Sequence, residues 1–233
     1  IYGVGGGITW DSTWESEYRE VHQKAAVLYR KQARFQLITT GKISKKQLLF
    51  EEQHLERLTK ASRYFAYPFH PEDLRQKIEE ECQVCDANQD YRLRIILSKS
   101  GEIELSRQIL TPLSPSFCQA KVCLQEADLQ QAFTYFKTTH RPHLSLGEQE
   151  KIYHNKSGEL LETSIGNLIL KINGKLYTPL TSQGILPGIY RQHLLKTGQV
   201  EEKVLTLADL NQAEAVYGCN AVRGLYELEM NSK

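Results

Sequence analysis

Residues 35–40, Phe-Gln-Leu-Ile-Thr-Thr, alternate as a strand, and the apolar triplet around Leu48 predicts a second, short one. Residues 54–65, HLERLTKASRYF, place Leu55, Leu58, Ala61 and Phe65 at helical spacing, so the pattern predicts a helix with that face inward; Pro71 opens another, through residue 81. Residues 91–98 and 102–110 read as a hairpin across Lys99-Ser100-Gly101. LTPLSPS then breaks the pattern with two prolines, which predicts a small α/β domain over 32–111, a linker at 112–119 and a larger domain over 120–233. The larger domain offers strands near 121–124 and at 151–154. Residues 167–172 and 175–178 flank Asn173-Gly174, a dipeptide tolerant of positive φ, and predict a hairpin with a type I′ turn. After Pro187, GIYRQHLL winds with Ile189, Leu194 and Leu195 inward, which puts Gly188 at a helix N-terminus. Periodicity alone therefore gives α and β structure in two segments.

The first 31 residues differ from the rest. IYGVGGGITW is glycine-rich and extended, and Ser12-Thr13-Trp14-Glu15 has the form of a capping box opening a helix with Trp14, Tyr18, Val21, Ala25 and Leu28 on one face. The glycines do not make a GxGxxG fingerprint and no βαβ unit follows, so a dinucleotide site is rejected.

Charge narrows the partners. Lys plus Arg number 29 against 28 Asp plus Glu in 233 residues, so no global field favours nucleic acid or an anionic membrane. No apolar run reaches the ~20 residues of a transmembrane helix and no signal peptide is visible, so a soluble cytoplasmic protein is expected. Five cysteines, at 82, 85, 118, 123 and 219, are odd in number and scattered; Cys82 and Cys85 form a CxxC without a second pair, which reads as reduced structural thiols with no metal site.

Candidate chemistry sits between residues 137 and 195. Lys137 ends an aromatic run, Glu162 precedes the Asn-Gly hairpin, and Gly188 leads a helix whose free N–H groups and positive dipole end suit a phosphate. A lysine able to form a Schiff base, an acid able to hold a pyridine nitrogen protonated and a phosphate cup are the requirements of pyridoxal 5'-phosphate.

In the order Lys137, Glu162, Gly188-Ile189-Tyr190-Arg191, the chain from about Phe35 onward resembles the class IV (fold type IV) aminotransferases, the family of branched-chain and D-amino-acid aminotransferases and aminodeoxychorismate lyase. The resemblance implies a two-domain α/β (α+β) fold of the D-amino-acid aminotransferase type, commonly a homodimer, with the cofactor between the domains. It implies that Lys137 carries the cofactor and acts as general base. Glu162 would meet the pyridine nitrogen. Backbone N–H groups of Ile189 and Tyr190 would hold the phosphate, with clearance from Gly188 and counter-charge from Arg57 of the HLxRL motif. Asn220 and Ala221, in CNAVRG, would close the phosphate side. Thr40 matches a threonine that faces the cofactor and helps move protons, while Thr39 replaces the acid usual there. KTTHR places Arg141 four positions after the lysine, as in the lyases, where it would bind a substrate carboxylate.

Residues 3–25, GVGGGITWDSTWESEYREVHQKA, resemble the extreme C-terminus of chorismate-utilising enzymes, where Glu17, Glu20 and Lys24 would border a chorismate and magnesium site. Fusions join these two families in this order, and a full-length fusion implies a glutamine amidotransferase partner. Together the resemblances imply a lyase that converts 4-amino-4-deoxychorismate to 4-aminobenzoate and pyruvate, a step of folate biosynthesis. Two alternatives stand beside it: an aminotransferase acting on branched-chain or D-amino acids, and a catalytically degenerate domain that docks or stabilises a synthase. The degenerate reading draws on Thr39 and on the short PHLSLGEQE after Arg141, where the family usually has a longer stretch with a helix.

Overall fold

The computed structural model describes residues 3–29, 34–125 and 132–230. It divides into two units, 1–34 and 35–233.

The first unit is a glycine-rich segment followed by helix α1 (Trp14–Tyr29). Its cap lies one residue later than the sequence pattern suggests. The Thr13 hydroxyl accepts the Ser16 N–H (3.3 Å), whereas the Ser12 hydroxyl accepts from the Thr9 N–H and donates to Glu17 (2.6 Å). Trp14 and Tyr18 stack at 4.8 Å along the helix yet remain 71% and 53% exposed. Lys24 pairs with Glu20 (2.5 Å) and donates to the Gly5 carbonyl (3.0 Å), tying the glycine segment to the helix.

The second unit begins with β1 (Leu37–Ser44), β2 (Gln47–Leu48), α2 (Glu51–Phe65), α3 (Pro71–Gln83), β3 (Tyr91–Leu97) and β4 (Ile103–Ile109). The four strands form an antiparallel sheet in the order β2-β1-β3-β4. Strand alternation sends Leu37 and Ile43 of β1 and Leu93, Ile95 and Leu97 of β3 into one core with Leu55 and Leu58 of α2 and Leu74 and Ile78 of α3. At about 25 cal/mol per Å2 of apolar surface, each such side chain contributes ~1.5–3 kcal/mol of transfer free energy. Thr39 is buried on this same face, where its hydroxyl meets His54 Nδ1 at 2.6 Å. Burial holds His54 neutral, with a pKa of about 3.

The chain continues through α4 (Pro115–Cys118), β5 (Gln119–Leu124), α5 (Ala132–Tyr135), β6 (Lys151–His154), β7 (Leu160–Thr163), β8 (Asn167–Ile172) and β9 (Lys175–Thr178). It ends with α6 (Ile189–Lys196), β10 (Glu201–Glu202), α7 (Leu207–Gln212), β11 (Ala215–Asn220) and β12 (Gly224–Met230). The second sheet runs β10-β9-β8-β11-β12-β5-β6-β7, and an added β7–β8 pairing closes six of its strands on themselves. Ala120, Ile152, Leu160, Leu168, Leu170, Val216 and Leu228 fill its interior. Asn173 and Gly174 both take positive φ (50° and 75°), the two-residue turn that the sequence predicts between β8 and β9. The predicted linker at 112–119 holds one helical turn, α4, capped by Ser114, whose side chain accepts the Phe117 N–H. Cys82 lies in the last turn of α3 and Cys85 just beyond it; both are buried, free thiols, and burial raises Cys82 to about 11.

Candidate functional site

The face of β1 opposite its core carries Ile38 and Thr40, which line a cleft of about 410 Å3 with residues of both sheets. Lys137 follows α5 and is placed there by main-chain pairing. Its carbonyl accepts the Ile38 N–H (3.0 Å), and the Thr139 N–H donates to Gln36 O (2.9 Å), so the lysine rides on the start of β1. Burial, reinforced by Arg57, Arg141, Arg92 and Arg94, lowers its pKa to about 7. Much of the amine is therefore neutral near physiological pH.

Glu162, 2% exposed, stands on β7 directly across from Asn167 on β8, the one residue pair that joins these two strands in register. Arg141 donates to its carboxylate (3.1 Å), and His143 Nε2 lies 3.7 Å from the same oxygen. The resemblance implies a carboxylate of the substrate for Arg141; in this structure its partner is Glu162. Glu150, fully buried, accepts the N–H of Ser164 (2.9 Å) and the hydroxyl of Tyr226 (2.9 Å), which fixes the turn after Glu162. Burial outweighs those bonds and raises the Glu150 pKa.

Gly188 caps α6 in an extended conformation, and no side chain caps the helix. The first-turn N–H groups of Ile189 and Tyr190 thus start a helix without acids in its first turn. Gly188 is also closely approached by a side chain. A Cβ there would lie 1.9 Å from Asn167 Oδ1, and Asn167 Nδ2 donates to Leu186 O (2.8 Å), so the glycine makes room for a neighbouring amide. Arg57, on α2, donates to Pro187 O (2.7 Å), which holds its guanidinium beside the helix start; burial and Arg141 lower its pKa to about 10. Asn220 Oδ1 accepts the N–H groups of Val222 and Arg223 (3.0 and 2.9 Å), shaping the turn that begins at Ala221 between β11 and β12.

Lys137, Thr40, Arg57, Glu162, Arg141, Gly188, Ile189, Asn220 and Ala221 all line the one cleft. Tyr190 does not line it; its ring lies 6.0 Å from that of Phe50, centroid to centroid. Arg92, Arg94, Asn167 and Arg223 also line the cleft, and sequence reasoning missed them. The signal for Arg92 and Arg94 was their i, i+2 spacing on a strand whose alternate residues are apolar.

The class IV amino-transferase family model matches residues 36–228. The chain belongs to the class IV aminotransferases. As in other members of known fold, it is a mixed α/β structure: it superposes on a candidate amino-acid aminotransferase of Mesorhizobium loti with a TM-score of 0.73 at 26% identity, over 84% of this chain and 99% of that one. On a 4-amino-4-deoxychorismate lyase of Pseudomonas aeruginosa the TM-score is 0.62 at 19% identity, over 84% and 83% of the two chains. Among curated proteins, the aminodeoxychorismate lyase of Saccharomyces cerevisiae is 26% identical over 214 residues. That alignment takes in 69% of this class IV chain and 56% of the yeast protein, so the chain spans little more than half the length of that relative.

Proposed function

We propose that the chain binds pyridoxal phosphate in this cleft and acts as a lyase on 4-amino-4-deoxychorismate, releasing 4-aminobenzoate and pyruvate. The observation that carries the reading is the meeting of a lysine poised near pH 7, a buried carboxylate and an arginine-flanked helix N-terminus in one cleft. That donor set fits the cofactor. The cleft carries the guanidinium groups of Arg57, Arg92, Arg94, Arg141 and Arg223, with the Lys137 amine, against the single carboxylate of Glu162 among its described lining residues, so it needs an anion. The volume is that of a small-molecule site.

In this reading Arg57 and the N–H groups of Ile189 and Tyr190 hold the phosphate, and Glu162, kept in place by Arg141 and His143, bonds the pyridine nitrogen. When bound, the cofactor supplies an electron sink for the carbon that bears the substrate amine. The Lys137 amine, neutral in part because of its cationic neighbours, takes the proton from that carbon. Thr40, on the cleft face of β1, donates a proton to the ether oxygen as its bond to the ring breaks; the ring becomes aromatic and the three-carbon fragment leaves as pyruvate.

The lyase choice draws support from the yeast enzyme's similarity, and the aminotransferase alternative from the Mesorhizobium likeness. We further read residues 1–31 as a remnant of a chorismate-binding domain, consistent with Glu17, Glu20 and Lys24 gathering around the glycine segment. A cytoplasmic homodimer, served in the full fusion by a glutamine amidotransferase, completes the proposal.

The test is borohydride reduction of the protein incubated with pyridoxal phosphate, followed by peptide mass analysis. The cofactor mass is expected on the Lys137 peptide and is expected to vanish in Lys137→Ala. Release of 4-aminobenzoate without loss of the cofactor's aldehyde form supports the lyase. Stoichiometric conversion of the cofactor to its amine form by an amino acid supports the aminotransferase instead.

A further inference from the structure

Glu150 and Tyr226 take no part in the chemistry above, and neither lines the cleft. Glu150 stands just before β6, fully buried, and each of its oxygens serves a different element. Oε1 accepts the Ser164 N–H (2.9 Å), and Oε2 accepts the hydroxyl of Tyr226 on β12 (2.9 Å). The Tyr226 ring lies over Gly218, its register partner on β11, where a Cβ would come within 2.4 Å of the ring carbon Cζ. A Cβ at Gly166 would lie 3.0 Å from the Tyr226 oxygen and 2.5 Å from the carbonyl oxygen of Cys219. Two glycines thus make room for one phenol. Burial, with the neighbouring Glu150 carboxylate, holds that phenol well above its ordinary pKa, so its proton stays available to the carboxylate.

What this framework holds is the turn at 163–166. The Thr163 N–H donates to Gly166 O (2.9 Å), the Gly166 N–H to Thr163 Oγ1 (3.1 Å), and Asn220 Nδ2 to Ile165 O (3.3 Å). Residues 164–167 line the cleft, and Glu162 is the residue that leads into the turn. Arg141 and His143 both address Oε1 of Glu162, so the side chain is steadied at its tip while its main chain depends on the turn. Polar networks whose members are all paired rigidify what they join, and this one joins β6, β12 and the turn. We infer that Glu150 and Tyr226 are positioning residues that aim the Glu162 carboxylate at the pyridine nitrogen of the bound cofactor, acting through the turn at 163–166. The inference rests on the pyridoxal phosphate reading for the group that Glu162 meets. The phosphate seat has its own anchors, Arg57 on α2 and the start of α6.

The experiment measures the affinity of the cofactor-free protein for three probes: pyridoxal phosphate, its analogue with carbon in place of the pyridine nitrogen, and inorganic phosphate. Wild type is compared with Tyr226→Phe, Glu150→Ala and Glu150→Gln. Tyr226→Phe and Glu150→Ala are expected to weaken pyridoxal phosphate binding about 10-fold, the scale of one hydrogen bond to a charged group. The carbon analogue and inorganic phosphate are expected to bind both variants as they bind wild type, because neither probe offers Glu162 a ring nitrogen. Glu150→Gln keeps an acceptor for the Ser164 N–H and a donor for the Tyr226 oxygen, so it is expected to retain the wild-type affinity. Thermal midpoints report folding separately; where Glu150→Ala does not fold, Glu150→Asp, one methylene shorter, takes its place in the comparison. Equal losses for pyridoxal phosphate and its carbon analogue, a loss for inorganic phosphate, or no loss in any variant overturns the inference and leaves the cofactor reading standing. Failure of wild type to bind pyridoxal phosphate overturns both.

Discussion

Lys137 is a cation placed among cations, and this has a measurable sign. Its folded pKa of about 7 lies below the ordinary 10.5, so between those values the unfolded chain holds the extra proton. Stability of the cofactor-free protein should therefore rise with pH across this window and be lowest below it, where the charge is buried in full. Lys137→Met should flatten the slope and raise stability at low pH, which denaturant titration at several pH values would reveal. On the proposed pyridoxal phosphate reading, the rate of cofactor capture should rise through a midpoint near the same pKa, because only the neutral amine attacks the aldehyde. Gly188 carries a second residue-scale consequence. Gly188→Ala forces a methyl to within 1.9 Å of Asn167 Oδ1 and should cost about 1–3 kcal/mol as overpacking. In an Asn167→Ala background most of that cost should disappear, since the obstructing amide is gone; equal costs in both backgrounds would refute the contact. Pro-Gly before a helix is visible in the chain, but the side chain that crowds Gly188 comes from a strand some twenty residues earlier.

At the scale of elements, the regular ones were readable because local chemistry and burial agree. The β8–β9 hairpin has Asn-Gly where both turn residues need positive φ, and its strands match the predicted spans. The β1–β2 turn was harder to see. Lys45 and Lys46 both take positive φ (49° and 60°) with no glycine or asparagine to announce it. At ~1–2 kcal/mol for each L-residue in this region, the Lys45→Asn, Lys46→Gly double variant should stabilise the protein by roughly 1 kcal/mol once glycine's added chain entropy is deducted. A fall in the denaturation midpoint would contradict that. Helix α2 begins three residues before the predicted start because Phe50 turns the chain in a left-handed conformation (φ 59°), with its ring against Tyr190 and His193. Arg92 and Arg94 escaped notice because charged residues alternating with apolar ones describe a solvent-facing strand edge as well as a cleft wall. Only the arrangement of the sheets separates the two.

For the whole molecule, the balance of charge near zero hides a local excess. The chain carries 29 basic and 28 acidic residues, yet among the described residues one cleft gathers five arginines and Lys137 around a single carboxylate. Inorganic phosphate should therefore raise the thermal midpoint of the cofactor-free protein, by the equivalent of ~2.7 kcal/mol at a hundredfold excess over its Kd. Arg57→Gln should remove most of that shift, and sodium chloride at matched ionic strength should not reproduce it. The short connection after Arg141 need not deprive Lys137 of support, since main-chain bonds to β1 hold the lysine and Arg141 and His143 hold Glu162. The Ile38 N–H, which gives its hydrogen to the Lys137 carbonyl, belongs to one sheet's edge of this arrangement and vouches for its attachment to the other. Its deuterium uptake is thus a clock within the molecule: slow while lysine and strand are joined, quick once they part, and slower still if the proposed cofactor spans them.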